Sequence, residues 1–394
     1  MSFLLFTSGT GALLACDLLV TRFLSPEDIV LWAEVRALIG LLGVLAAGGL
    51  DLVFVRSPQS SIRLLRLCLI QIPLVALPLG VMVHMLGYLS GWLPAATLAA
   101  GSAGVLVLSQ FYRAHHRYLA SQLAQQAWKI GALILLVGLL WQLQLPKPDV
   151  SVSVLLLLSS GIAAGHVYRV LPELATGQAP QPVRELYGIG LRFMATSLIL
   201  AISVYGEQLL VSGVGSVRDA ALFFTHATYF LFPVSVLNGY LAFRIGPWLR
   251  DNHDRFVAIQ RGRWLMILLS ATVYAAIMHG VGWLVWHLVS PAIGAPDPVL
   301  QLLLLASALA RTLYTLPSGY NGVFGRPREH DILIAAQVIL LAVVALSVYL
   351  ALGTMPFVYL VACAGALNWI ARTAVGFVIS LLIIARSKHQ DARY

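Results

Sequence analysis

Apolar runs of about 20 residues recur from one end of this 394-residue chain to the other. A run of that length suits an α-helix that crosses the hydrocarbon core of a bilayer, because each residue adds about 1.5 Å. Only 10% of the residues are charged and 59% are apolar, whereas a soluble domain carries about 25% charged residues. The pattern excludes a soluble enzyme, a disordered chain and a disulfide scaffold. It predicts an all-α, polytopic membrane protein.

The apolar runs divide the chain into twelve predicted transmembrane spans. They cover 3–24, 29–55, 65–87, 95–112, 119–141, 152–171, 189–212, 220–245, 264–288, 299–324, 332–352 and 357–385. The widest gap follows the sixth span and contains Gly177, Pro180 and Pro182, which are typical of a linker. We therefore predict an N-terminal six-helix lobe over 1–175, a cytoplasmic linker over 176–188 and a C-terminal six-helix lobe over 189–394.

A short internal repeat supports this two-lobe organisation. The string Leu18-Leu19-Val20-Thr21 aligns with Leu209-Leu210-Val211-Ser212 at an offset of 191 residues. Six spans in each lobe would insert both copies with the same orientation. Parallel repeats of this kind are a transporter architecture, in which the substrate site lies between the halves.

The 25 Lys and Arg residues are distributed unequally between alternate loops. Only Arg22, Lys147 and Arg218 fall on one side of the predicted topology. Because cytoplasmic loops are rich in Lys and Arg, both termini and the even-numbered loops are expected to face the cytoplasm. The net charge of +9 then reflects orientation in a membrane, and no nucleic-acid partner is expected.

Four cations are exceptions because they lie inside predicted spans: Arg36, Lys129, Arg311 and Arg372. An ionised side chain at the bilayer centre costs about 2.5–3.5 kcal/mol, so such groups usually face protein or water. Polar residues accompany them at helical spacing, among them Gln125 beside Lys129 and Asn368 beside Arg372.

We predict that these six residues line a water-accessible cationic chamber between the lobes. Guanidinium groups would bind phosphate oxygens and amides would bind sugar hydroxyls of an anionic ligand. The alternative is that each cation pairs with an acid inside the membrane.

Asp17 and Glu207 are acids at matching depth in the two repeats, one residue apart in the alignment. A partly desolvated carboxylate can take up and release a proton as its exposure changes. Asp17 and Glu207 are therefore candidates for ion coupling, and the alternative is that they neutralise Arg22 and Arg36. No His or Cys spacing fits a metal site. We expect no cofactor, and a proton or sodium gradient as the driving force.

The segment Thr21-Arg22-Phe23-Leu24-Ser25-Pro26-Glu27-Asp28 resembles the opening of bacterial Wzx-type polysaccharide (O-antigen) flippases, as does the string Glu207-Gln208-Leu209-Leu210-Val211-Ser212 in the second lobe. The resemblance implies the fold of the multidrug/oligosaccharidyl-lipid/polysaccharide (MOP) exporter superfamily and alternating access. It further implies an oligosaccharide on undecaprenyl diphosphate as substrate, moved across the bacterial inner membrane for O-antigen, capsule or exopolysaccharide assembly. Membrane lipid, a polysaccharide polymerase and a chain-length regulator are the other partners that it implies.

Two other functions stay open. The same fold could serve an ion-coupled antiporter of drugs or small molecules, although a basic site is unusual for cationic drugs. A membrane-embedded polysaccharide polymerase or ligase would need a large outer loop with catalytic residues. The longest outer loop, 142–151, is too short for that, so we expect a protein that is not an enzyme.

Overall fold

The computed structural model describes residues 2–142, 148–170, 181–236 and 264–391, together with positions 238, 239, 241 and 249. Regular structure in these ranges is helical. The α-helices are α1 (Ser2–Phe23), α2 (Pro26–Ala47), α3 (Leu50–Arg56), α4 (Ser61–Met85), α5 (Trp92–Ala114), α6 (Tyr118–Gln142), α7 (Pro148–Val170), α8 (Val183–Val214), α9 (Val217–Phe230), α10 (Trp264–Val289), α11 (Pro298–Phe324), α12 (Pro327–Leu350) and α13 (Phe357–Asp391).

Eleven helices in the described ranges are long and apolar enough to cross a membrane, which confirms the prediction of an all-α polytopic fold. Their bounds lie close to the predicted spans, as α11 shows against 299–324. The predicted eighth span, 220–245, begins in α9, and positions 237, 240 and 242–245 lie outside the described residues.

The second predicted span, 29–55, is wrong as a single helix. It is divided into α2 and α3 at Gly48 and Gly49, whose φ angles are 59° and 71°. Residues with a Cβ atom rarely adopt this left-handed conformation, whereas glycine adopts it readily. A Cβ on Gly49 would also lie 2.0 Å from the carbonyl oxygen of Gly190, so the break lets α3 approach α8 closely.

Two helices begin with N-caps that the sequence supplies. The Ser25 hydroxyl accepts a hydrogen bond from the backbone N–H of Asp28, and Pro26 occupies the first position of α2. Asp297 caps α11 by accepting from the N–H of Leu300 at 2.9 Å. A side-chain oxygen at this position satisfies a donor that has no partner within the helix, which fixes where each helix starts.

The chain divides into two compact units, residues 1–217 and 218–394, called here the first and second unit. In the first unit, α5 packs against α2, α3, α4, α6 and α7. Small residues permit this close packing, and a Cβ on Gly101 would lie 2.8 Å from the Cβ of Leu156.

Helix α8 packs against α2 and α3, which places it in the first unit although the sequence predicts it as the start of the second lobe. Positions 176–180 of the predicted linker, 176–188, lie outside the described residues, and positions 183–188 form the start of α8. The division into two lobes of six helices stays a prediction.

In the second unit, α13 packs along α11 and α12. Pro317 lies inside α11, opposite Gly376 of α13, where an added Cβ would come within 3.2 Å of the proline. Asn321 donates to the carbonyl of Gly376 at 3.0 Å and accepts from the hydroxyl of Ser380 at 2.7 Å. These contacts hold the two helices that carry Arg311 and Arg372 side by side.

Candidate functional site

The first unit contains a buried ion pair, which we call the Asp17 cluster (Asp17, Trp32 and Arg36). The Nη2 atom of Arg36 lies 3.0 Å from Asp17 Oδ2, and the indole Nε1 of Trp32 donates to Asp17 Oδ1 at 2.7 Å. The Asp17 side chain is 1% exposed and the Arg36 side chain 22%. Arg36, predicted as a ligand-binding residue, is therefore an ion-pair partner of Asp17, which is the alternative that the sequence left open.

Lys129 occupies a polar face of α6. Its Nζ donates to Gln126 Oε1 at 2.8 Å, and Gln126 Nε2 donates to Gln122 Oε1 at 3.4 Å. Arg36 lies close enough for its charge to repel that of Lys129. A Cβ on Gly9 would lie 2.5 Å from the Cβ of Gln126, so this glycine lets α1 approach the polar face.

The two other predicted site residues of the first unit lie partly exposed. Gln125 is half-buried on α6, and Glu207 is half-buried on α8. Glu207 has an interaction partner, so it is not an isolated acid. Their roles in substrate binding and ion coupling stay predictions.

The second unit holds a different arrangement, which we call the Trp369 cluster (Arg311, Tyr314, Gln337, Asn368, Trp369 and Arg372). The guanidinium carbon of Arg311 lies 4.8 Å from the centre of the Trp369 ring, and that of Arg372 lies 5.5 Å from it. Arg372 also lies 4.9 Å from the ring centre of Tyr314. Aromatic faces attract cations electrostatically, which offsets part of the cost of burying these charges.

Polar side chains contact Arg311 and Tyr314 of this cluster. Arg311 Nε donates to the hydroxyl of Ser307 at 3.2 Å, and Gln337 Nε2 donates to the Tyr314 hydroxyl at 3.1 Å. The Oδ1 atom of Asn368 and the Oε1 atom of Gln337 are buried without a hydrogen-bond partner in the described part of the chain. Buried acceptors normally have a hydrogen-bond partner. Each of these two oxygens can therefore still accept a hydrogen bond from water or from a ligand hydroxyl.

The start of α11 is held by an Asp297 network. The N–H of Asp297 donates to His226 Nε2 at 2.8 Å, and the Tyr359 hydroxyl donates to the Asp297 carboxylate. Burial tends to raise the pKa of Asp297, but hydrogen bonds from Tyr359 and the N–H of Leu300 outweigh it and keep the pKa below its ordinary value. The network fixes the helix on which Arg311 lies.

The structure thus places the predicted site residues in two groups. Arg36, Lys129 and Asp17 lie in the first unit, whereas Arg311, Asn368 and Arg372 lie in the second. A chamber that joins the two groups stays a prediction. The sequence pattern identified the cations and the amides Gln125 and Asn368, but it did not identify Trp32, Gln337 and Trp369.

Signals for these residues were present in the sequence. Trp369 precedes Arg372 by three residues, so both lie on one face of α13. Gln337 is the amide in the middle of a strongly apolar helix. A buried amide in such a helix needs a polar partner, which here is Tyr314.

The Trp369 cluster has the chemistry of an anion site with an apolar wall. Its guanidinium groups can donate to phosphate or carboxylate oxygens in a bidentate manner, and the rings of Tyr314 and Trp369 form the apolar wall beside them. The Asp17 cluster instead pairs a buried carboxylate with a cation, so the two charges neutralise each other.

No protein-family model matches the chain, and no curated protein matches it in sequence. Solved structures do match. A structure described as MATE in complex with MaD3S covers 98% of this chain and 95% of its own, with a TM-score of 0.61 and 15% identity.

Two further structures match over the same share of this chain. One is described as the outward-facing conformation of a multidrug resistance MATE family transporter of the MOP superfamily (TM-score 0.61, 15% identity, 94% of its own chain). The other is a MATE P26A mutant (TM-score 0.55, 15% identity, 95% of its own chain). The chain therefore has the helical membrane fold of MATE transporters of the MOP superfamily.

Proposed function

We propose that this chain is an ion-coupled transporter that exports an amphipathic organic anion by alternating access. The observation that carries this proposal is the fold, which matches MATE transporters over 98% of the chain. A fold does not specify a substrate, so the substrate class is argued from the side chains.

The Trp369 cluster supports an anionic substrate. Arg311 and Arg372 are both buried and both lie over the same indole ring. Two cations near one ring repel each other, and an anion bound between them would relieve that repulsion. If this chain is a drug antiporter, its Trp369 cluster would thus select acidic rather than cationic compounds.

A second candidate substrate is an oligosaccharide linked to undecaprenyl diphosphate. The Wzx-like strings of the sequence favour it, and a diphosphate is the kind of anion that paired guanidinium groups bind. The unsatisfied acceptors of Asn368 and Gln337 suit the hydroxyl donors of a sugar. In this case the protein would be a flippase of the bacterial inner membrane.

Asp17 is the coupling residue that we propose, with Glu207 as the second candidate. Asp17 is fully buried and holds a cation, Arg36, at 3.0 Å. If Asp17 took up a proton, the ion pair with Arg36 would be lost and the contact between α1 and α2 would change. A proton gradient could in this way alter the helix packing of the first unit.

Transport into proteoliposomes tests the proposal. Uptake of a fluorescent organic anion, an organic cation of similar size and a fluorescent undecaprenyl-diphosphate oligosaccharide is compared under an imposed pH gradient. We expect uptake of an anionic probe, and a fall of about tenfold or more in Arg311→Gln and Arg372→Gln because a charge-assisted hydrogen bond is lost.

The matched control is Arg184→Gln, which removes an exposed arginine at the start of α8. The lysine variants Arg311→Lys and Arg372→Lys should keep part of the activity, since charge remains but bidentate geometry is lost. Transport of the cation alone, or equal transport in Arg184→Gln and Arg372→Gln, would contradict an anion-binding role of this cluster.

A further inference from the structure

An apolar groove runs along the surface of the first unit between α4, α5 and α7. Its volume is about 430 Å³, within the range of pockets that hold small organic ligands. Leu65, Leu69, Pro73, Leu157 and Tyr168 are among the residues that line it. The groove is open on one side, so a ligand could enter it from the surrounding membrane.

Glycines shape the groove in two ways. Gly104 of α5 is packed against α7, where an added Cβ would lie 2.9 Å from the Cβ of Ser160. Gly161 of α7 has no atom within 4 Å of the place where its Cβ would be. The first glycine brings the helices together at the bottom of the groove, and the second leaves the space above it unfilled.

The length of the groove matches one leaflet of a bilayer. Its lining extends from Leu65 to Pro73 on α4, about 12 Å, and from Leu157 to Tyr168 on α7, about 16 Å. The hydrocarbon core of a bilayer is about 30 Å thick, so the groove spans roughly half of it. A single acyl chain of one leaflet has this reach, whereas a polyprenyl chain would extend far beyond it.

One end of the groove is basic. Arg66 follows the first lining residue of α4, Arg169 follows the last lining residue of α7, and both side chains are exposed. Tyr168 lies beside them and is 81% exposed, as is typical of an aromatic residue at a membrane–water interface. Positive charge at the end of an apolar groove complements a lipid with an anionic headgroup.

We propose that this groove binds the acyl chain of an anionic phospholipid, with the headgroup phosphate held by Arg66 and Arg169. The sequence-based topology assigns this end of α4 and α7 to the cytoplasmic side, so the lipid belongs to the inner leaflet. The site is separate from the Asp17 cluster and does not depend on the transported substrate.

Native mass spectrometry of the full-length protein tests the site. The protein is exposed in detergent to equal amounts of phosphatidylglycerol and phosphatidylcholine with identical acyl chains, and retained lipids are counted. We expect one retained phosphatidylglycerol. In the double variant Arg66→Gln/Arg169→Gln, the preference of the protein for phosphatidylglycerol over phosphatidylcholine should fall by about fivefold for each arginine removed.

Gly161→Leu places a side chain in the groove, where its Cβ would have open space, and should lower phosphatidylglycerol retention by about fivefold or more. Gly138→Leu is the matched control, because Gly138 is exposed on α6 with open space and does not line the groove. Both leucine variants should elute as folded protein.

Equal retention of phosphatidylglycerol in the two leucine variants overturns the site, as does equal binding of both phospholipids by the unmodified protein. Displacement of phosphatidylglycerol by an equal amount of undecaprenyl phosphate would overturn the assignment to a phospholipid.

Discussion

The two units bury positive charge in different ways. In the Asp17 cluster, Arg36 is compensated by a carboxylate that Trp32 also holds. In the Trp369 cluster, Arg311 and Arg372 lie over aromatic rings. A carboxylate neutralises a cation, whereas an aromatic face attracts a cation without neutralising its charge. This contrast is the basis for proposing ion coupling at the first cluster and substrate binding at the second.

This difference has consequences for stability. Removing one member of a buried ion pair leaves an uncompensated charge, which costs far more than the pair itself contributes. Removing one of two neighbouring cations instead relieves repulsion. The two clusters should therefore differ in how much stability they lose when a charged residue is removed, and the following variants test that contrast.

The largest loss of stability is expected for Asp17→Ala. Arg36 would stay in a mostly buried position without its carboxylate, at a cost of about 3 kcal/mol in the free energy of unfolding. Unfolding by SDS titration in mixed micelles measures this cost. In Asp17→Leu/Arg36→Leu both charges are absent, so most of the stability should return. A double variant as unstable as Asp17→Ala would show that the charge balance is not the cause.

Trp369→Leu should have an intermediate effect, about 2 kcal/mol in the same unfolding measurement. Leucine keeps an apolar side chain but removes the ring face on which Arg311 and Arg372 lie. Trp283→Leu is the control, because Trp283 is half exposed on α10 and should tolerate the change. Similar losses in both variants would mean that stacking on the indole contributes nothing specific.

Arg372→Met is expected to have the smallest effect on stability, below about 1 kcal/mol, since an apolar side chain of similar length replaces a desolvated charge. Its transport activity should nevertheless fall as far as that of Arg372→Gln. The two measurements together separate a functional role from a structural one. A large loss of stability in Arg372→Met would place this arginine with Arg36, as a residue that the fold needs.

Most of the helices could be predicted from the sequence because each membrane span is a local run of about 20 mostly apolar residues. The predicted span 264–288 and helix Trp264–Val289 differ by one residue at one end. The positions of the buried cations were also predictable, since a charge inside an apolar run is conspicuous. The fold class followed from these local features without any knowledge of packing.

Features that depend on distant residues were not predictable. The break at Gly48–Gly49 is required by the approach of α3 to Gly190, far away in the sequence. The stacking of Arg311 on Trp369 is a contact between α11 and α13, and the apolar periodicity of each helix does not show which residues of the two helices meet. The pairing of Asp17 with Arg36 was one of two open interpretations, because depth in a helix does not specify which neighbour a side chain faces.

The central claim is that the Trp369 cluster is a binding site that opens to water on each side of the membrane in turn. Cysteine accessibility tests it most directly, in a background without Cys16, Cys68 and Cys363. An Arg372→Cys variant in proteoliposomes is treated with a membrane-impermeant thiol reagent from either side, with and without a pH gradient. We predict labelling from one side that shifts to the other when the gradient is imposed, whereas Leu367→Cys, on an exposed apolar face of α13, stays unlabelled. An Arg372→Cys variant that is unlabelled under every condition would contradict the claim.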